Sequence, residues 1–142
     1  MDLQLKGLKA LITGGSKGIG HRCAQALVAE GAEVSICART AADVEAVATK
    51  LGVHGSAVDV SDKAALEAWV SERGRAMGGI DIVIANVSAL AVNDDEEAWQ
   101  AGFDTDMMHS VRLMNAAMPF LEASDAASIT LVSSVSGREI DF

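Results

Sequence analysis

Eight consecutive residues, Thr13-Gly14-Gly15-Ser16-Lys17-Gly18-Ile19-Gly20, carry the strongest chemical signal in the chain. Its glycines have separate roles. Gly14 permits a tight turn, and Gly18 lets the backbone approach an anion with no Cβ in the way. Gly20 lets a following helix pack close to the preceding strand. A helix that starts here offers unpaired N–H groups and a partial positive charge, which suit a pyrophosphate. The same glycines in an unpatterned loop would be an ordinary turn. An apolar run before them and a helical stripe after them give them chemical meaning. The Gly-Lys-Ser/Thr ending of a P-loop is absent, which argues against an NTPase.

Other reactive residue types offer less. Arg39 follows the second apolar run, and its guanidinium would pair well with a phosphate, as would Lys17. The plainer role of both is surface solubility. Asp94-Asp95-Glu96-Glu97 resembles paired carboxylates for acid–base work, but at the start of a helix it fits the dipole and stays solvated. His21, His54 and His109 have no neighbours of ligand type in sequence, so no metal is assigned. Cys23 and Cys37 form no disulfide framework. They read as small buried hydrophobes in a reducing compartment. Met107, Met108, Met114 and Met118 recur at helical spacing and are predicted to fill a core or an interface.

The elements that must position these groups follow from periodicity. Strands are predicted at residues 8–13 (LKALIT), 33–38 (EVSICA), 53–58, 80–85 (IDIVIA) and 128–133 (SITLVS). Ile19, Cys23 and Leu27 mark one face of a first helix over residues 18–30, stopped by Gly31. Thr40 is the expected N-cap of a second helix carrying Val44, Val47, Ala48 and Leu51. Ser61 is the expected N-cap of a third, with Leu66, Trp69, Val70 and Met77 on its face. A long fourth helix is predicted from about Asp94 to Leu121. Strict alternation of five strands and four helices means parallel strands with helices on both faces. The fold class is therefore α/β, a doubly wound parallel sheet of order 3-2-1-4-5.

Composition narrows the rest. The chain has 142 residues, about one domain, with no linker, repeat or low-complexity segment. Half of its residues are hydrophobic and 22% are charged, which rules out a disordered chain. Twenty acids against 11 bases give a net charge of −9. A broad grip on nucleic acid and a polybasic membrane surface are thereby disfavoured. No apolar run reaches the ~18 residues of a membrane span, and the first residues lack a signal-peptide core. The expected location is the cytoplasm.

The glycine segment resembles the cofactor motif of the short-chain dehydrogenases/reductases, and later segments agree in order and spacing. Asp59-Val60 is similar to the family's adenine-contacting pair. Ala85-Asn86-Val87-Ser88 is similar to its Asn-Asn-Ala-Gly, with Ala85 and Ser88 as departures. Asp104-Thr105-Asp106-Met107 lies where the family has an Asn-Leu pair. Ser133-Ser134-Val135-Ser136-Gly137 resembles its catalytic serine segment. The resemblance covers essentially the whole chain, and the oxoacyl-carrier-protein reductases are the subgroup it looks most like. It implies a Rossmann domain over residues 1–142 and hydride transfer between a nicotinamide cofactor and a small carbonyl or alcohol substrate.

By that resemblance Asp59 accepts from the adenine amino group, and Asn86 lies beside the adenosine ribose with Val87 and Ser88. Ser134 hydrogen-bonds the substrate oxygen. Asp106 stands at the catalytic position where the family has an Asn that holds a water feeding the catalytic lysine; it keeps an acceptor and loses the amide donor. NAD-preferring members close the second strand with an acid; Ala38 stands there instead, followed by Arg39 and Thr40. With Lys17, this implies NADP(H) rather than NAD(H). The family's proton donor and its partner form Tyr-x-x-x-Lys, but this chain contains no tyrosine. The expected reading is the N-terminal part of a longer, homo-oligomeric reductase (dimer or tetramer), inactive alone. Its alternative is a non-catalytic dinucleotide-binding or oligomerisation module.

Overall fold

A computed structural model describes residues 3–134. Five strands, β1 (Lys9–Thr13), β2 (Glu33–Ala38), β3 (His54–Ala57), β4 (Ile82–Ala85) and β5 (Ser128–Leu131), form one sheet of order β3-β2-β1-β4-β5. Every neighbouring pair is parallel. The helices are α1 (Gly18–Ala29), α2 (Ala41–Leu51), α3 (Lys63–Met77), α4 (Glu96–Gly102) and α5 (His109–Leu121). Order and direction match the sequence expectation; β2 has the expected bounds, and the other four strands are shorter by one or two residues at one end or both.

The strands are near-continuous apolar runs because both faces are covered. Ala10, Ile12, Val34, Ile36, Ile82 and Ile84 pack on the side of α1 and α2, with Ala24 and Val44. Leu11, Cys37 and Val83 face the other way, onto Leu66, Trp69 and Val70 of α3 and Leu113 and Ala117 of α5. Alternation along β1 thus feeds two cores, the period-two consequence of the pleat. Burying one Leu such as Leu66 contributes roughly 2–3 kcal/mol. Both Leu66 and Leu113 are fully buried. Gly74 makes room between the two helices on that side, where a Cβ would fall 2.5 Å from the Phe120 ring.

The structure differs from the sequence reading in three places. The long helix is not continuous: α4 and α5 are joined by a π-helical turn, Phe103–Met108. The expected cap Ser61 is not the cap; Asp62 is, accepting from the Ala65 N–H at 3.1 Å. Ser61 is already engaged, donating both its N–H and its hydroxyl to Asp59 Oδ1. Thr40 does stand at the N-cap of α2 but gives it no side-chain hydrogen bond. Of the two places expected for Met107, Met108, Met114 and Met118, the core is not where they lie: Met107 and Met118 are exposed, and Met108 and Met114 are half-buried. Cys37 is fully buried, and that burial pushes its thiol up to about 12 against a lowering bond from the Gly14 backbone. It carries no thiolate chemistry at neutral pH. Cys23 is half-buried beside the α1 core.

Candidate dinucleotide site

In a parallel sheet all strands end on one edge, so the segments after them converge. Gly14, Arg39, Asp59, Asn86 and Ser134 follow β1, β2, β3, β4 and β5 respectively. The chain reverses its winding between β1 and β4, which is where open α/β sheets bind ligands. The glycine turn and Asn86 lie at that point.

The turn is built as its glycines require. Gly14 and Gly18 have φ of +66° and +53°, a region that costs other residues about 1–2 kcal/mol. A Cβ at Gly18 would meet nothing within 4 Å, so the cradle there is open. At Gly20 a Cβ would fall 2.3 Å from the Gly14 carbonyl oxygen and 2.5 Å from Asn86 Nδ2. Gly20 therefore packs against the turn and the end of β4, rather than only against the strand. Lys17 is the N-cap of α1, its own side chain gives that helix no capping hydrogen bond, and the first turn holds no acid. Leading N–H groups of a helix need acceptors from outside it, and an anion can supply them. Ser16 lies within this turn, and Ile19 at its rim is 61% exposed.

Beneath the turn lies a polar link that the sequence did not disclose. Thr13 is fully buried. Its Oγ1 accepts from the Asn86 N–H at 3.1 Å and lies 2.9 Å from His109 Nε2. The Asn86 amide donates in turn to the Gly14 carbonyl at 3.2 Å. Thr13 and Asn86 thus fasten the ends of β1 and β4 together, and His109 fastens both to the start of α5. His109 is 1% exposed, and its buried Nδ1 makes no well-aligned hydrogen bond among the described residues. Burial holds its pKa below the ordinary histidine value, against opposing pulls from the Thr105 carbonyl and the Asp106 charge.

The sign of that shift gives a stability prediction. The unfolded ring takes a proton near its ordinary pKa, whereas the folded ring resists it. Stability from this group is full above the ordinary value and declines as pH falls below it. His54, lowered chiefly by desolvation and also by Arg73, acts in the same sense. The urea midpoint should therefore drop between about pH 7.5 and about pH 5.5, and His109→Gln should drop less steeply. Equal slopes would mean that His109 titrates as a free histidine.

Arg39, Asp59, Val60, Val87 and Ser88 share one cavity of about 310 Å³, closed by Ala101, Asp104 and Thr105. Asp59 is held below the usual carboxylate range by the Ser61 hydroxyl and N–H, with a further contribution from Arg39. It stays ionised as an acceptor. Val60 is buried as the floor of the loop after β3, and Arg112 of α5 ties that loop down through the Ser61 carbonyl at 3.0 Å. Asp106 lies in the π-helical turn, where its Oδ1 accepts from the Ala89 N–H at 2.7 Å. Ser88 Oγ accepts from the Leu90 N–H. Ser134 is exposed three residues beyond β5, while Val135, Ser136 and Gly137 of its segment lie outside the described residues. Lys17 is not free: its Nζ pairs with Asp43 Oδ2 at 2.8 Å. A second cavity, lined by Lys9, Arg75, Asp81 and Ser124 among others, lies at the opposite end of the strands and includes none of these residues.

The short chain dehydrogenase family model matches residues 8–141. The chain belongs to this family. It is 39% identical to isoepoxydon dehydrogenase patN of Penicillium expansum, over 95% of this chain and 55% of that protein. It is 32% identical to the oxidoreductase YvrD of Bacillus subtilis, over 96% of this chain and 55% of that one. A solved Pseudomonas syringae structure assigned to the short chain dehydrogenases superposes with a TM-score of 0.89 at 24% identity, covering 98% of this chain and 62% of its own. That likeness speaks to the fold. The chain thus spans about half the length of the curated relatives it matches. Among the described residues no helix is long and apolar enough to cross a membrane.

Proposed function

We propose that this chain is the dinucleotide-binding part of an NADP(H)-dependent short chain dehydrogenase that interconverts a small carbonyl compound and its alcohol. The observation that carries this reading is the open cradle at Gly18. A Cβ at Gly18 would meet nothing within 4 Å, and α1 starts there without an acid in its first turn, at the point where the sheet reverses its winding. The residues present fit a dinucleotide. Gly14, Ser16, Gly18, Ile19 and Gly20 would hold the pyrophosphate. Asp59 and Val60 would meet the adenine, and Asn86, Val87 and Ser88 the adjoining ribose. Lys17, Arg39 and Thr40 would meet the 2′-phosphate, and the absence of an acid at Ala38 favours NADP(H) over NAD(H).

When bound, the nicotinamide supplies or accepts a hydride. In this reading Ser134 donates a hydrogen bond to the substrate oxygen and stabilises the developing alkoxide. Asp106 holds Ala89 and so fixes the loop that carries Val87 and Ser88. In the same reading the protonating Tyr and its Lys would come from the part of the relatives' length that these residues do not span. A homo-oligomeric parent, dimer or tetramer, in the cytoplasm completes the proposal. The exposed stripe of Trp99, Phe103 and Met107 suits such an interface.

The non-catalytic module makes a different prediction for catalysis. In a longer protein that includes the Tyr-x-x-x-Lys segment, Ser134→Ala should lower kcat about 100- to 1,000-fold with NADPH affinity within about two-fold. The 142-residue chain should bind cofactor without reducing ketones or oxoacyl thioesters. Turnover by the 142-residue chain, or an unaffected Ser134→Ala enzyme, would contradict the assigned roles.

A further inference from the structure

Two observations on opposite sides of the glycine turn meet at one carboxylate. Lys17, at the N-cap of α1, has its ammonium 2.8 Å from Asp43 Oδ2. Asp43 is the one acid in the first turn of α2, and the chain entering that turn is Arg39-Thr40. The two cations assigned to a 2′-phosphate are therefore not equivalent. Arg39 is exposed and forms no ion pair among the described residues, whereas Lys17 is engaged by an acid. Both partners stay open to solvent, with side-chain exposures of 76% for Lys17 and 39% for Asp43, so the pair is exchangeable rather than locked.

We infer that Asp43 is a specificity-determining residue that holds Lys17 away from the 2′-phosphate and thereby weakens the preference for NADP(H) over NAD(H). This rests on the cofactor reading given above. A phosphate monoester carries close to two negative charges at neutral pH. To use Lys17 it must take the ammonium from Asp43 and then tolerate the abandoned carboxylate beside it. An adenosine with a free 2′-hydroxyl pays neither cost, because it brings no charge to that corner. Asp43 thus acts on the phosphorylated cofactor alone. The loss is modest, because exposed charge pairs contribute little and salt screens them. Such a brake would let one site use both cofactors, with Arg39 supplying the attraction and Asp43 tempering it.

The test is calorimetric titration of the 142-residue chain with adenosine 2′,5′-bisphosphate and with adenosine 5′-monophosphate. The ratio of the two affinities isolates the 2′-phosphate. Asp43→Asn keeps the shape and removes the charge. It should raise the ratio about 3- to 10-fold at low salt, with the gain shrinking as ionic strength rises. Glu45→Gln removes the same charge from the same helix at a residue with no link to Lys17, and it should leave the ratio within about two-fold. In a Lys17→Gln background the gain from Asp43→Asn should fall to the Glu45→Gln level. An unchanged or lower ratio in Asp43→Asn overturns the inference, as does an undiminished gain in the Lys17→Gln background. A wild-type preference for the bisphosphate that Asp43→Asn leaves unchanged sinks the inference alone. Indifference to the 2′-phosphate in both wild type and Asp43→Asn sinks the NADP(H) reading with it.

Discussion

Gly20→Val should abolish NADPH binding and lower the melting temperature of the chain together. A side chain at this position collides with backbone: its Cβ would lie 2.3 Å from the Gly14 carbonyl oxygen, 2.9 Å from the Gly14 carbonyl carbon and 2.5 Å from Asn86 Nδ2. The two Gly14 atoms are backbone, and Asn86 Nδ2, though the end of a side chain, is tied to the Gly14 carbonyl. Relief requires α1 to lift off the turn, and that breaks the Asn86–Gly14 bond fastening β1 to β4. Overpacking of this kind costs about 1–3 kcal/mol and often more. Gly18→Ala is the informative contrast. Its Cβ would touch nothing, so its fold cost is the positive φ alone, about 1–2 kcal/mol. Its methyl would nonetheless project into the open cradle. Gly18→Ala should therefore melt only slightly early while losing about 100-fold or more in NADPH affinity. Circular dichroism melts and reduced-nicotinamide fluorescence titrations separate the two effects. A Gly20→Val chain that melts and binds like wild type would refute the geometry described for the turn.

The second large effect is a reversal of cofactor choice by Arg39→Asp. Charge-assisted contacts to phosphate contribute about 1–3 kcal/mol, so losing the guanidinium should weaken NADPH about 10- to 100-fold. The new carboxylate repels the 2′-phosphate and can accept from the free ribose hydroxyls of NADH. NADH should bind as well as before or more tightly. The adenine contact should survive, because Asp59 is held ionised chiefly by Ser61 and only secondarily by Arg39. Competition titrations with both cofactors read the reversal. A mutant that keeps a preference for NADPH would show that Arg39 does not meet the 2′-phosphate.

The fold was legible where burial and local chemistry agreed. Residues 33–38 read as a strand and are one, because a buried parallel strand is a short, largely apolar run, here entered at the charged Glu33 and followed by Arg39. The glycine turn was legible because each of its glycines answers a steric demand within the segment itself. The break between α4 and α5 was not. Residues 103–108 contain no proline and no glycine, and their π-helical turn depends on where α4 and α5 must each pack. The N-cap error at Ser61 has a local cause. Ser61 and Asp62 are both good caps, and Asp59 claims the hydroxyl of the first, leaving the second to cap α3.

Long-range polar links were illegible in principle. Thr13 and His109 are 96 residues apart, and no periodicity relates them. Reading His109 as a histidine without partners missed that the sheet brings Thr13 beneath it. The Lys17–Asp43 pair was hidden in the same way, since it depends on how α1 and α2 lie against one sheet face. For Asp106 the resemblance gave the position, but its bond to the Ala89 N–H emerged only from the fold. The sequence thus named Arg39, Asp59, Val60, Val87 and Ser88, which share one cavity, and missed the Thr13–His109 link between β1 and α5.

The central claim is that the edge after β1 binds a phosphorylated nicotinamide dinucleotide. Calorimetric titration of the 142-residue chain with NADPH and with NADH tests it most directly. The account predicts saturable one-to-one binding, with NADPH tighter than NADH by about 10-fold or more at low salt and the gap narrowing as salt is added. No saturable binding of either cofactor at millimolar concentration, or NADH bound more tightly than NADPH, would contradict it.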